Sequence, residues 1–363
     1  MSSAIRRRYI DWARALAILV MIEAHTVDAW TRAADRRTAA FRNATILGGF
    51  AAPLFLWLAG VSLVLSAERV TGRTGSRRAG ADAICRRGLE IFLLAFLFRL
   101  QALIVTPGGD VVELFRVDIL NIMGPAIVLA GIMWGLGATT ARRVLMYGVA
   151  ATATAMVTPV VRAAAWMDAL PTLVQWYLRP AGEYTTFTAF PWIGFVFAGA
   201  AVGALLAVAR DDRAERRIQI LVSLAGAALV ALGLFAATRP TIYHASAFWT
   251  SSPTWFSIRA GVMMIALAAV YAMSRIRRGV MSAWQDPLAQ MGRGSLFVYW
   301  IHVELVYGYA SWLWRGRLPL WGTAAAALMF TALMYSAVVV RDRVVQTGKM
   351  RGVQPMPVQP ANA

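Results

Sequence analysis

The sequence predicts an all-α polytopic membrane protein, a bundle of about ten transmembrane helices with both termini in the cytoplasm. Three observations predict it. Of 363 residues, 59% are hydrophobic and only 15% charged, against about 25% charged in soluble domains, and the mean hydropathy is +0.58. Apolar runs of about 17 to 23 residues recur along the chain, the length that crosses hydrocarbon at 1.5 Å per residue. Arginines collect in the joints between them. With the N-terminus inside, 23 basic residues face the cytoplasm and 11 the other side, and Arg14 and Arg99 fall within spans.

The elements follow in order. The first run, 9–27, comes after a basic RRR that mimics a signal peptide, but Asp11 and Arg14 break its apolar region, so the helix is expected to stay in the mature protein. The second, 46–66, leads into the strongest internal loop, 66–87, which carries Arg69, Arg73, Arg77, Arg78, Arg86 and Arg87. Such a loop reads first as a topology signal attracted to anionic lipid. The third and fourth runs, 84–106 and 117–136, place Arg99, Gln101, Arg116, Asp118 and Asn121 near the outer surface. Runs at 143–161 and 188–209 flank an outer loop with Trp166, Trp176, Tyr177 and Tyr184, and runs at 218–237 and 257–274 flank another with Tyr243, His244, Phe248, Trp249 and Trp255. Aromatics there read first as interfacial anchors, with stacking on a sugar ring as the alternative. The last two runs are 295–313 and 319–340. Residues 1–341 thus form one transmembrane domain, and 342–363, ending GVQPMPVQPANA, a tail expected to be disordered.

Composition also excludes. The net charge of +18 suggests nucleic acid, yet no soluble segment is long enough to form a basic domain. Cys85 stands alone, so no intrachain disulfide or thiolate cluster can form. Three histidines without His-x-His or HExxH spacing argue against a metal site.

Intramembrane polar groups carry the functional signal, because a charge in hydrocarbon costs at least about 2.5 kcal/mol. At about 100° per residue Asp11, Arg14 and His25 share one stripe of the first helix while Glu23 falls on the other side. Asp11 and Arg14, at i and i+3, read equally as an ion pair or as a cofactor-binding site. His25 ends the stripe near the outer surface. Asp118 and Asn121 share a face at the outer start of the fourth run. In the ninth run Ser295, Tyr299 and His302 share one face, with His302 mid-span and Glu304 opposite.

These residues resemble a known family. The opening R-x-x-D-x-x-R-A-x-A-x-x-x-M-x-x-x-H, PLFLWLAGVSL at 53–63, VDILNIMGPAI at 117–127, FPWIGFVFAGAAVG at 190–203 and SLFVYWIHVELVYG at 295–308 look like the heparan-alpha-glucosaminide N-acetyltransferase catalytic family. It belongs to the transmembrane acyltransferases, related to the acyltransferase-3 proteins. The resemblance runs from about residue 6 to about residue 340. It implies transfer of an acetyl group from cytosolic acetyl-CoA, through the bundle, to a glycan amine or hydroxyl on the far side. One departure stands out. The lysosomal enzyme of the family has Asn where His25 stands and its catalytic His in the following loop, whereas loop 28–45 here contains no His.

On that resemblance His25 is the expected base, Asp118 its orienting partner, and Arg99 or Asn121 the oxyanion stabiliser. Arg14, Arg77, Arg78, Arg86 and Arg87 are expected to hold the CoA phosphates, with Asp11, Tyr299 and His302 also on the cofactor path. Direct attack and a route through acetyl-histidine both fit. The rival reading is a multi-pass transporter of a small solute or lipid-linked glycan, against which stands the absence of an internal repeat. Expected surroundings are membrane lipid and a bacterial cytoplasmic membrane, with homodimerisation open and no nucleic-acid partner.

Overall fold

The computed structural model describes residues 7–105, 110–276 and 286–351. Their regular structure is helical, apart from two isolated parallel bridges, Thr31 to Leu318 and Val117 to Thr185. The principal helices are α1 (Arg8–Trp30), α2 (Ala39–Gly48), α3 (Ala51–Thr74), α4 (Arg77–Val105), α5 (Ile119–Leu136) and α6 (Thr140–Ala163). They continue with α7 (Thr172–Leu178), α8 (Ala189–Ala207), α9 (Asp212–Ala237), α10 (Pro253–Ile276), α11 (Pro287–Arg293), α12 (Ser295–Tyr307) and α13 (Leu320–Arg351). The ten apolar runs fall largely on helices, although run 46–66 crosses the break between α2 and α3 and run 295–313 outlasts α12. Among the described residues seven segments are long and apolar enough to cross a membrane: Ala39–Thr74, Ile119–Leu136, Thr140–Ala163, Ala189–Ala207, Asp212–Ala237, Pro253–Ile276 and Leu320–Thr347. In α1 the polar residues Asp11, Arg14 and Glu23 interrupt the apolar run, and α12 has only 13 residues.

Two boundaries differ from the sequence reading. The expected internal loop 66–87 is mostly helix, because α3 runs on to Thr74 and α4 begins at Arg77. Gly75, at φ 69°, supplies the left-handed residue that ends α3 and gives its N–H to Thr71 O. At the other end α13 continues to Arg351, past the boundary expected at 341. Residues 352–363 of the expected tail lie outside the described residues.

Local sequence explains several helix starts. Asp211 Oδ1 accepts from Ala214 N at 2.8 Å to start α9, and Asp286 Oδ1 accepts from Ala289 N at 3.1 Å, ahead of Pro287, to start α11. Thr139 does the same for α6.

Packing follows small residues. Where α3 crosses α8, a Cβ on Gly60 would strike Val196 O and one on Gly199 would strike Trp57 O. Gly199 and Gly203, four apart, thus let two backbones touch, the small-xxx-small device of membrane helices. α1 packs against α2, α3, α10, α11, α12 and α13, and its own Ile18 and Ile22 are fully buried. By contrast only 17% of the apolar window of α9 is buried, and Leu328, Met329 and Leu333 of α13 stay exposed. Such outward apolar faces suit lipid rather than water.

Candidate active site

Two histidines meet at one end of α1. His25 Nδ1 and His302 Nε2 lie 2.9 Å apart, the rings inclined by only 6° with centroids at 5.0 Å. His302 is fully buried, and its Nδ1 lies 2.8 Å from Val298 O, one turn back on α12. A carbonyl oxygen only accepts, so His302 Nδ1 carries a proton. With His302 neutral, its Nε2 is the acceptor and His25 Nδ1 the donor. That fixes the tautomer of a neutral His25 and leaves its Nε2 lone pair as the basic nitrogen. Tyr307, one turn and a half along α12, stands edge-on to His25 with ring centroids 5.5 Å apart and donates its hydroxyl to Asp28 Oδ2 at 2.9 Å.

Backbone pairing holds this corner. Arg32 N donates to Leu318 O at 2.8 Å, Leu318 N to Trp30 O at 3.0 Å and Gly316 N to Ala29 O at 2.9 Å. The chain leaving α1 is thereby zipped to the chain entering α13. Asp35 Oδ2 also accepts from Leu320 N at 2.8 Å, and that hydrogen bond holds its carboxyl below the usual aspartate range.

A cavity of about 500 Å³ opens on the other side of the histidines. One end carries Arg14, Arg69, Arg87 and Arg293, with Glu90 paired to Arg87 at 2.9 Å; the lining also reaches Phe55 and Met123. From Arg69 to Phe55 the α3 wall spans fourteen residues, about 21 Å. Phe55 then stacks on Tyr299, with centroids 5.7 Å apart and planes at 17°, and Tyr299 stands edge-on to His302 at 5.9 Å. One layer of aromatic rings separates the cavity from the histidine pair.

The remaining candidates form a third group at the start of α5. The Arg99 guanidinium pairs with the Asp118 carboxylate, Asp118 N donates to Asn121 Oδ1 at 3.0 Å, and Asn121 is fully buried with Tyr177 beside it. Arg99 also lies within electrostatic reach of Tyr299 and Glu304. The expectation that Asp118 orients His25 therefore differs from the geometry, in which His302 occupies His25 Nδ1. Among the phosphate candidates, Arg14 and Arg87 line the cavity, whereas Arg77, Arg78 and Arg86 are exposed and do not. Continuous helix puts those three on the outer faces of α4. Asp11 makes its i, i+3 ion pair with Arg14 at 3.4 Å.

Several residues escaped the sequence reading. Arg69 and Phe55 belong to a stripe with Ser62 and Ser66 on α3, spaced by seven, four and three, and that periodicity was available. Arg293 ends α11 beside a Gly, with no distinguishing signal. Tyr307 and Asp28 are 279 positions apart, and only the fold joins them.

The pattern for heparan-alpha-glucosaminide N-acetyltransferase, catalytic, matches residues 6–233, more than half of the chain. The chain belongs to this family. It is an acyltransferase with the helices of an integral membrane protein, which decides for the enzyme over the transporter. No curated protein matches it. The heparan-alpha-glucosaminide N-acetyltransferase match takes in His25, the Arg99 group and the α3 and α4 walls of the cavity; Arg293, Tyr299 and His302 lie beyond it and join the site through α11 and α12.

Proposed function

We propose that this acetyltransferase takes the acetyl group of acetyl-CoA from the cytoplasmic side and passes it across the bundle to a glycan amine or hydroxyl on the other side. The observation that carries the reading is the cavity that ends one aromatic layer short of the His25–His302 pair. Its chemistry fits the donor. Four arginines at the mouth suit the phosphates of CoA, and the apolar depth suits the pantetheine arm leading the thioester towards Tyr299. The basic mouth is the cytoplasmic end, both termini lie on that side, and the ten helices matching the apolar runs all contribute to the membrane domain.

In the reaction the acceptor, held beside His25, gives its proton to Nε2 as it attacks the thioester carbonyl. The new bond to carbon forms first, the carbon–sulfur bond breaks as the resulting oxyanion collapses, and His25 returns the proton to the departing CoA thiolate. His302 acts through His25, by fixing which nitrogen is free. The Asp118 carboxylate keeps Arg99 in place at the same end of the bundle. Replacing His25 with Ala tests the reading: purified protein should still bind acetyl-CoA but lose CoA release by about 10²-fold or more. Unchanged turnover would refute it.

A further inference from the structure

The transfer just described rests on a base and a donor cavity, but it also needs a group that stabilises the thioester oxygen as it gains negative charge. We propose that the Tyr299 hydroxyl is that donor, a catalytic role that rests on the acyl-transfer reading above and deepens it.

Position is the first argument. Tyr299 stands between the two halves of the site, its ring stacked on Phe55 at the end of the cavity and edge-on to His302. A thioester that has come up the cavity to meet a nucleophile activated by His25 must pass beside this ring. The second argument is rigidity. Phe55, Phe98 and His302 pack the ring from three directions, with centroids at 5.7, 6.0 and 5.9 Å, so the hydroxyl costs no reorganisation at the moment of reaction. Third, Tyr299 is only 5% exposed, its hydroxyl makes no hydrogen bond among the described residues, and that oxygen is not among the fully enclosed unpaired polar atoms. It is therefore uncommitted and reachable, as a donor to a substrate carbonyl oxygen must be.

Charge points the same way. Arg99 lies within electrostatic reach of Tyr299, so a positive charge backs the phenol and favours an oxyanion beside it. The sequence-based candidates fit less well. Arg99 is itself committed to the Asp118 carboxylate and Asn121 Oδ1 to Asp118 N, whereas the Tyr299 ring touches both Phe55 of the cavity and His302. In the balanced step the acceptor proton moves to His25 Nε2, the carbonyl electron pair moves onto the oxygen held by Tyr299, and its return expels CoA thiolate, which takes up the proton.

The test is Tyr299→Phe, which removes one oxygen and keeps the ring and its three contacts. With purified full-length protein, acetyl-CoA and a glucosaminide acceptor, kcat for CoA thiol release should fall about 10²- to 10³-fold, while KM for acetyl-CoA and the thermal unfolding temperature stay at their wild-type values. A variant with wild-type kcat overturns the proposal alone. So does one whose loss appears in KM or in unfolding temperature, the signature of a packing role. Wild-type protein that binds no acetyl-CoA overturns the acyl-transfer reading and the proposal with it.

Discussion

His25 and His302, 277 residues apart in the chain, share a hydrogen bond of 2.9 Å between Nδ1 and Nε2. Because His302 Nδ1 is held by Val298 O at 2.8 Å, the pair forms a one-way relay that starts at a helix carbonyl and ends at His25 Nε2. A lone histidine at a helix end has two tautomers; this one has a fixed choice.

His302→Leu should therefore lower kcat by about 10²-fold, because His25 is no longer held in the basic tautomer. Acetyl-CoA binding, read by calorimetry, should be unchanged, since His302 does not line the cavity. Intact kcat in His302→Leu would show the relay to be idle.

The cavity mouth makes a separate prediction about binding. Arg87→Ala and Arg293→Ala should each raise the Kd for acetyl-CoA about tenfold or more, the loss of a charge-assisted contact of about 1.5 kcal/mol or above. Arg78→Ala, exposed on another face of α4, should leave it alone. Equal effects at all three positions would mean a general attraction to CoA charge rather than a built site.

Much of the fold was legible. Composition and run length dictate the all-helical fold, and seven segments among the described residues have the length and apolarity to span a membrane. The face shared by Ser295, Tyr299 and His302 was readable from spacing, and in the fold it leads from the cavity wall to the histidine pair. Other features were hidden for physical reasons. Gly75 is a small signal, so a charged stretch looked like a loop when it was two helix ends. Arg86 differs from Arg87 in the angle at which α4 presents it, and Arg77 and Arg78 lie more than two turns further towards the start of that helix, differences that cannot be read until the neighbours of α4 are known. The partnership of His25 with His302 depends on α1 and α12 lying side by side. No local pattern encodes it, so Asp118 looked the better partner by depth and charge.

Helix contact should be sensitive to single carbons. Gly199→Val places a side chain against the backbone of Trp57, which cannot move away without shifting α3. A loss of about 1–3 kcal/mol is expected, seen as a lower unfolding temperature in detergent. Gly72→Ala, with nothing within 4 Å, is the control and should be neutral or mildly stabilising. If both variants melt alike, the close crossing of α3 and α8 does not bear on stability.

Asp35 gives a pH dependence. Its folded pKa lies below the ordinary value because Leu320 N–H donates to the carboxylate. A depressed carboxylate stabilises the fold above its unfolded pKa, about 3.9, and the contribution fades as pH falls through the lower folded value. Asp35→Ala should thus lower the unfolding temperature at neutral pH, and the gap from wild type should narrow as pH falls through the depressed folded value. A gap that is constant with pH would assign Asp35 a role independent of its charge.

The central claim is that an acetyl group crosses from a basic cavity to a histidine base at the other end of the bundle. Proteoliposomes with labelled acetyl-CoA inside and a glucosaminide outside measure it directly. Label should appear on the outer glycan with wild-type protein and not with His25→Ala. Acetylation only when donor and acceptor share one side of the membrane would contradict the account.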